Sequence, residues 1–214
     1  MKLQLALDLL DPDEAMRVVE QTGSHVDVIE VGTSLLKLSG ISLVDKIREL
    51  CPDKPIFLDS KIIDGPAREA SLMARCRPEY YSMLAVASNA AVRTVLEIAD
   101  ENSSEVVFDL QSVAHPVERA QELESMGAKW VCVHKNADCG DDLGEAFKEF
   151  LDIRQTTSLA VALAGGVNLQ SITRMRDELG PDLVVVGGAI LKSDDYGATA
   201  SSLREITNSR KDHE

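Results

Sequence analysis

Short apolar runs and longer amphipathic segments alternate from one end of the chain to the other. In the longer segments apolar residues recur every three or four positions, which is the spacing of an amphipathic helix. The apolar runs start 23 to 30 residues apart, the length of one strand, one helix and two short loops. They are predicted strands at residues 3–9, 26–31, 56–61, 80–86, 105–110, 130–134, 159–164 and 183–186.

The amphipathic segments predict helices at residues 13–21, 42–50, 67–75, 89–100, 116–126, 144–155 and 169–179. Eight β–α units with continuously apolar strands indicate an α/β protein folded as a single parallel (β/α)8 barrel, also called a TIM barrel. A doubly wound parallel sheet is the alternative, but it does not require eight units. We therefore expect one domain over residues 1–214, with a frayed tail from about residue 207.

Composition narrows the class of protein. The 214 residues are 44% apolar and 27% charged, as in an ordinary globular domain. No apolar run approaches the ~20 residues that span a bilayer, and the strand-like pattern begins at Lys2, which leaves no room for a signal peptide. A cytoplasmic protein without a membrane partner is therefore expected. The net charge of −14 argues against a nucleic-acid partner but permits a small anionic ligand.

The four cysteines, Cys51, Cys76, Cys132 and Cys139, form no C-x-x-C pair, so we expect reduced thiols. Cys132 lies inside an apolar run and is predicted to be a small core residue. Cys139 follows that run in a loop near the candidate site described below. A functional thiol there is the less favoured alternative.

Residues 59–64 interrupt an apolar stretch with a carboxylate, a lysine and a second carboxylate. Asp59 and Lys61 are two positions apart, so on a strand they point to the same face. Asp64 lies just past the strand, where a loop could return it to the same place. Burying such charges costs free energy unless they pair, bind metal or meet a charged ligand. A solvated ion pair on an edge strand is the alternative.

Other predicted strands also end in charged residues. Asp8, Glu30 and Asp109 end strands 1, 2 and 5, and His134 ends strand 6. Each alone has an ordinary explanation, since Asp8 could cap the next helix and His134 could be a buried imidazole with a hydrogen-bond partner. In a barrel these strand ends meet at one face. Together with the carboxylates of residues 59–64, they predict a divalent cation site with Mg²⁺ preferred over zinc, and with Glu30 and Asp59 as the preferred ligands.

Strands 7 and 8 end in the glycine pairs Gly165-Gly166 and Gly187-Gly188. Glycine lets backbone N–H groups approach a ligand closely, and the loops after these two strands form the recurrent phosphate site of such barrels. The alternative is that the glycines merely permit tight turns. We favour phosphate binding because two pairs follow adjacent strands.

Residues 59–64, together with five further motifs in the same order along the chain, resemble the orotidine monophosphate decarboxylase superfamily. The superfamily signature D-x-K-x-x-D matches residues 59–64. The opening K-L-Q-L-A-L-D and the later V-I-E-V-G-T resemble 3-hexulose-6-phosphate synthase and 3-keto-L-gulonate-6-phosphate decarboxylase. V-C-V-H, A-G-G-V and V-V-V-G-G-A-I extend the likeness from residue 2 to about residue 200.

The resemblance implies Mg²⁺ held by Glu30 and Asp59, with Lys61 beside it. The metal and the lysine would stabilise a 1,2-enediolate formed on a ketose phosphate. In the synthase, the enediolate of D-ribulose 5-phosphate attacks formaldehyde in an aldol addition. In the decarboxylase, loss of CO₂ makes a similar enediolate, which is then protonated.

The resemblance also implies roles for the remaining strand-end residues. His134 would be the acid–base residue, since histidine in general titrates near neutral pH. Asp8 and Asp109 would contact substrate hydroxyls, and Gly165, Gly166, Gly187 and Gly188 would hold phosphate. The family forms homodimers in which the last aspartate of the signature reaches the partner's site, a role that falls to Asp64. The implied catalytic residues are Asp59, Lys61, Asp64 and His134.

Three positions favour the synthase, an aldehyde-lyase, over the decarboxylase, a carboxy-lyase. The decarboxylases carry arginine where this chain has Ala137 and usually also where it has Gly188, and glutamate where it has Asp109. Departures from the family pattern include Ser60, Gly65-Pro66 and Lys135-Asn136. A paralogue that binds a sugar phosphate without turnover is a further alternative. It is disfavoured because a mere binder does not need so costly a cluster of charges.

Overall fold

A computed structural model describes residues 1–134 and 144–209, in which eight parallel strands form a closed barrel. The order of strands around the barrel is their order along the chain, and the last strand pairs with the first. The strands are β1 (Lys2–Leu7), β2 (Val28–Val31), β3 (Ile56–Ile62), β4 (Tyr80–Leu84), β5 (Glu105–Asp109), β6 (Trp130–His134), β7 (Ala160–Ala164) and β8 (Leu183–Val186). The predicted single (β/α)8 barrel is confirmed.

Helices follow the strands and surround the barrel. They are α1 (Pro12–Thr22), α2 (Thr33–Ser39), α3 (Ser42–Leu50), α4 (Pro66–Ala74), α5 (Asn89–Glu101), α6 (Pro116–Ser125), α7 (Gly144–Thr156), α8 (Leu169–Arg174), α9 (Gly188–Leu191) and α10 (Tyr196–Asn208). The predicted helix at residues 169–179 is divided into α8 and a turn of π-helix at Met175–Leu179. Helices α2, α9 and α10 were not predicted, because the first two are too short to show a periodic pattern and small residues interrupt the pattern of α10.

The residue that caps the first helix is Asp11, not Asp8. Asp11 caps α1 by accepting hydrogen bonds from the backbone N–H groups of Asp13 at 2.9 Å and Glu14 at 3.3 Å, and Pro12 occupies the first turn. Asp8 is therefore not needed as a cap. Its carboxylate lies instead at the mouth of the barrel, where it lines the central cavity.

A small apolar layer fills the barrel interior. It consists of Val28, Phe57, Val107, Cys132, Ala162 and Leu183, with Tyr80 and Trp130 packed against it at a ring-centroid separation of 5.9 Å. Cys132 is buried, as predicted. Two positions further along β2, β3, β5 and β6 the inward side chain is Glu30, Asp59, Asp109 or His134. Because inward positions alternate along a strand, the apolar layer forms the floor on which these polar groups rest.

Cys51, Cys76 and Cys132 are free thiols. The expectation for Cys139 and the departures at Lys135-Asn136 and Ala137 fall outside the described residues. Helix α10 continues to Asn208, and Thr207 is buried. The frayed tail predicted from about residue 207 would therefore start in the last helical turn. Residues 210–214 lie outside the described residues. No helix in the described ranges is long and apolar enough to cross a membrane.

Substituting Gly32, at the end of β2, tests how tightly the mouth of the barrel is packed. A Cβ at this position would lie 2.6 Å from the carbonyl oxygen of Leu7 and 2.4 Å from Oδ1 of Asp8. Because Leu7 belongs to the paired strand β1, Gly32→Ala is expected to lower the free energy of unfolding by about 1–3 kcal/mol in urea denaturation. Gly188→Ala is the control, because its Cβ would meet only Lys192 Cε at an ordinary 3.8 Å. Equal losses of stability in the two variants would contradict this packing.

Candidate active site

The carboxyl ends of the strands surround a cavity of about 590 Å³ that opens at one end of the barrel. With one exception, the predicted site residues line it: Asp8, Glu30, Asp59, Lys61, Asp109, His134, Gly165, Gly166, Gly187 and Gly188. The exception is Asp64, which is exposed outside this cavity and accepts a hydrogen bond from the N–H of Gly65 at 2.9 Å. The loop after β3 therefore does not return Asp64 to the chain's own site.

Lys61 lies between two carboxylates. Its Nζ is 2.8 Å from Oδ2 of Asp109 and 3.1 Å from Oδ1 of Asp59. Burial disfavours the charged form of this lysine, but the two carboxylates outweigh that effect and raise the pKa of Lys61 above its usual value. The lysine is therefore held as a fixed ammonium group, able to donate hydrogen bonds but not to act as a base near neutral pH.

Asp109 connects the lysine to the histidine. The same Oδ2 atom that contacts Lys61 lies 2.8 Å from Nδ1 of His134. Burial alone would raise the pKa of Asp109, but the hydrogen bonds and positive charges of His134 and Lys61 lower it to about 2. Asp109 is thus a permanent anion that fixes the ring of His134, and Nε2 of that ring has no hydrogen-bond partner among the described residues.

A backbone irregularity in β3 places Asp59 and Lys61. The register with β4 shifts between Leu58 and Ile62, and Lys61 adopts a left-handed backbone conformation with φ of 45°. Ser82 on β4 stabilises this bulge. Its hydroxyl accepts from the N–H of Lys61 at 2.9 Å and donates to Oδ1 of Asp59 at 2.7 Å. Ser60, which departs from the family pattern, donates to the carbonyl oxygen of Ser82 at 2.7 Å and so joins the two strands.

Glu30 and Asp59 supply the oxygen atoms expected of a cation site. Glu30 is buried and accepts a hydrogen bond from Nε2 of Gln4 at 2.6 Å, while Asp59 accepts one from the hydroxyl of Thr33. Burial and then the negative charge of Asp59 raise the pKa of Glu30 well above its usual value. The same two causes raise the pKa of Asp8. This end of the cavity therefore carries an excess of negative charge.

The donor chemistry fits a divalent cation with a hard oxygen preference. Within the described ranges, no three His, Cys, Asp or Glu side chains come together as a complete metal site. Glu30 and Asp59 therefore offer a partial set of ligands, which suits a cation that keeps water or substrate oxygens, as Mg²⁺ does. The buried Oε1 atom of Gln4 has no hydrogen-bond partner among the described residues and lies in the same cavity wall.

The two glycine pairs line another part of the wall. Gly165 and Gly166 adopt left-handed φ values of 94° and 65°. A Cβ at Gly187 would lie 3.2 Å from Oδ2 of Asp8 and 3.3 Å from the carbonyl oxygen of Ala6. Backbone conformation therefore favours glycine at Gly165 and Gly166, and close approach favours it at Gly187, whereas Gly188 has room for a Cβ. Both requirements leave the backbone open toward the cavity.

Six polar residues of the cavity wall did not emerge from the sequence: Gln4, Thr33, Ser34, Ser82, Asn168 and Lys192. Gln4 precedes Ala6 and Asp8 at alternate positions on β1, so a polar residue in an apolar strand was the available signal. Ser82 had no comparable signal, since its role depends on the register between β3 and β4.

The protein-family model described as the orotidine 5'-phosphate decarboxylase / HUMPS family matches residues 1–203. The chain belongs to this family. A 3-hexulose-6-phosphate synthase of Bacillus subtilis (strain 168) is 30% identical over 207 residues, covering 96% of this chain and 98% of the relative. Both the family and the resemblance to the synthases are therefore confirmed.

Solved structures of family members share the barrel. A 3-hexulose-6-phosphate synthase from Salmonella typhimurium superposes with a TM-score of 0.90 and 31% identity, covering 97% of this chain and 98% of its own. A 3-keto-L-gulonate-6-phosphate decarboxylase from Vibrio cholerae has a TM-score of 0.85 at 22% identity, with 97% of each chain covered. The latter shows only that the fold is shared.

In metal-free protein, Glu30 and Asp109 should make the free energy of unfolding depend on pH in opposite directions. Glu30 has a raised pKa, so the folded state keeps this proton where the unfolded chain has lost it, and stability falls as pH rises above about 4.5. Glu30→Gln cannot ionise. We expect this variant to be more stable than the parent at pH 7 in EDTA, with the difference closing below pH 4.5.

Asp109 has a lowered pKa, so its contribution to stability is present above about pH 4 and is lost as pH falls toward 2. Asp109→Asn should therefore lower the free energy of unfolding at pH 7 by about 2 kcal/mol, and this difference should shrink on acidification. Urea unfolding of both variants and the parent from pH 3 to pH 8 measures the two effects. If Glu30→Gln and Asp109→Asn changed stability in the same direction at pH 7, the assignment of charges in the cavity would be wrong.

Proposed function

We propose that this chain, which by its homology is a carbon–carbon lyase, is a Mg²⁺-dependent enzyme of the 3-hexulose-6-phosphate synthase type, which adds formaldehyde to D-ribulose 5-phosphate. The observation that carries the proposal is the position of Lys61, fixed as a cation between Asp59 and Asp109 in the wall of a cavity that is also lined by Glu30 and His134. Full-length similarity to curated synthases supports the substrate class.

The reaction needs a group that removes a proton from C1 of the ketose and groups that stabilise the resulting negative charge. His134 is suited to the proton transfer, because Asp109 binds Nδ1 and leaves Nε2 to take up and return a proton. Lys61 donates hydrogen bonds to the oxygen that gains charge. When bound by Glu30 and Asp59, Mg²⁺ would supply further positive charge close to the substrate oxygens.

In the addition step, C1 of the enediolate forms a bond to the carbon of formaldehyde, and the formaldehyde oxygen takes up a proton to become a hydroxyl. His134 can return the proton that it removed, so no other reactant is consumed. Asp8 and Asp109 face the cavity as acceptors for substrate hydroxyls. Each proton and each bond in the cycle is thus accounted for by residues in the cavity wall.

Purified protein with Mg²⁺, D-ribulose 5-phosphate and formaldehyde tests this proposal directly. Loss of formaldehyde with formation of a hexulose phosphate is the expected result. A parallel assay with 3-keto-L-gulonate 6-phosphate tests the decarboxylase alternative, and release of CO₂ there without formaldehyde consumption would overturn the synthase assignment. Binding of sugar phosphate without either reaction would favour a non-catalytic role.

Replacing the lysine tests the proposed source of charge stabilisation. Lys61→Met preserves length but removes the positive charge, and we expect kcat to fall about 10²- to 10³-fold, as when a charge-stabilising donor is lost. The control is Lys129→Met, which removes an exposed lysine paired with Glu105 outside the cavity and should leave kcat unchanged. Circular dichroism checks that both variants are folded. Full activity in Lys61→Met would contradict the mechanism.

We also propose that the protein is a homodimer in which Asp64 completes the partner's site. Asp64 is exposed beside Ile63, and three apolar side chains around the ends of β2 to β4, Leu38, Ile63 and Val86, are 46–57% exposed. Helix α2, which carries Leu38, packs against β3, so α2 and the residues that follow β3 lie on one side of the barrel. A second copy covering this face would bury the apolar groups and bring Asp64 near another cavity.

Mixing inactive variants tests whether Asp64 acts across an interface. Asp64→Asn and Lys61→Met are each expected to be nearly inactive. A mixed dimer of the two has one of its two sites with both native residues, so the purified mixed dimer should have about half of the parent activity. Differently tagged chains, co-expressed and assayed after tandem purification, measure this. Absence of recovery in an isolated mixed dimer, or a monomer in sedimentation, would contradict the arrangement.

A further inference from the structure

One lysine in the cavity has no role in the chemistry described so far. Lys192 follows α9 and lines the cavity beside the glycine pair of β8. Lys61, the other lysine of the cavity wall, is committed to Asp59 and Asp109. In the described part of the chain, Lys192 takes part in no ion pair or side-chain hydrogen bond, so its ammonium group is available to a ligand.

Helix α9 directs Lys192 back over Gly188. The two residues are four positions apart, and the N–H of Lys192 donates to the carbonyl oxygen of Gly188 at 3.1 Å, so both lie on one side of the helical turn. Lys192 Cε is 3.8 Å from the place that a Cβ at Gly188 would occupy. The lysine stem therefore lies across the space left by the missing side chain, and a larger residue at position 188 would displace it.

The charges in the cavity are unequally distributed. Glu30, Asp59 and Asp109 contribute to the wall on β2, β3 and β5, and only part of their charge is offset by Lys61 and His134. Asp8 follows β1 and reaches the turn after β8, where its Oδ2 is 3.2 Å from the place of a Cβ at Gly187. A doubly charged phosphate group would be repelled by these carboxylates. The wall at β7 and β8 offers open glycine turns, and Lys192 supplies a positive charge there that offsets Asp8.

We propose that Lys192 binds the phosphate group of the substrate and so fixes which end of the molecule faces the carboxylates. The inference rests on the proposed function, in that the ligand is taken to be a phosphate ester. Gly188 and Lys192 act as a pair: the glycine leaves the space and the lysine one turn later supplies the cation.

Lys192 would touch the phosphate and not the reacting carbon atoms. Its loss should therefore raise KM for a phosphorylated substrate much more than it lowers kcat. A charge-assisted hydrogen bond of this kind corresponds to about a 10- to 100-fold change in affinity. Because Lys192 is exposed at the mouth, added salt should also weaken its contribution.

Binding measured without turnover tests this inference. Isothermal titration of D-ribulose 5-phosphate and of inorganic phosphate, in the absence of formaldehyde, is compared for the parent, Lys192→Met, Lys192→Arg and Lys129→Met. We expect Lys192→Met to bind both ligands 10- to 100-fold more weakly, with little remaining salt dependence between 50 and 300 mM. Lys192→Arg should stay within a few-fold of the parent, and Lys129→Met, with the same change in net charge, should match it.

The outcomes separate this inference from the proposed function. Parent-like binding of both ligands by Lys192→Met would overturn the role of Lys192, even if synthase activity were present. Weakened binding in a protein without synthase activity would support the phosphate contact while the proposed reaction failed. If the parent bound neither ligand, the inference and the proposed function would both be overturned.

Discussion

The arrangement of side chains at the carboxyl end of this barrel depends on the two ion pairs of one lysine. Lys61 contacts Asp59 at 3.1 Å and Asp109 at 2.8 Å, and Asp109 also contacts His134 at 2.8 Å. Charges placed this deep in a fold are tolerated only when each has a partner, because the interior offers little solvation. Four ionisable side chains from β3, β5 and β6 are thereby fixed relative to one another.

The pairing is incomplete on the side of β1 and β2. Glu30 and Asp8 add negative charge that Lys61 does not neutralise, and the raised pKa of each carboxyl records the free energy of ionising it there. Functional sites commonly retain charged residues in unfavourable surroundings, and favourable interactions elsewhere in the fold compensate for the lost stability. Here the compensation comes from the closed sheet and from the apolar layer beneath the site. A bound cation would relieve the same repulsion, which links the stability of this region to occupancy of the site.

The sequence was sufficient for the barrel because a parallel barrel repeats one simple pattern eight times. Asp59, Lys61, Asp109 and His134 could also be found, since each breaks an apolar run near a strand end. Gln4 and Ser82 could not be assigned in this way. Their contacts join residues 26 and 23 positions apart, so they depend on strand register and on the bulge in β3. Asp64 could not be placed from the sequence either. It is only three residues from Lys61, but the sequence does not indicate that the loop after β3 turns away from the cavity.

The claim on which the rest depends is that Glu30 and Asp59 form a cation site at the mouth of the barrel. Diffraction from crystals grown with Mn²⁺, which shares the oxygen preference of Mg²⁺ and scatters anomalously, measures this directly. A single strong anomalous peak within about 2.0–2.6 Å of carboxylate oxygens of both Glu30 and Asp59 is the expected result. Peaks confined to other acidic residues, with none between Glu30 and Asp59 at saturating Mn²⁺, would contradict it.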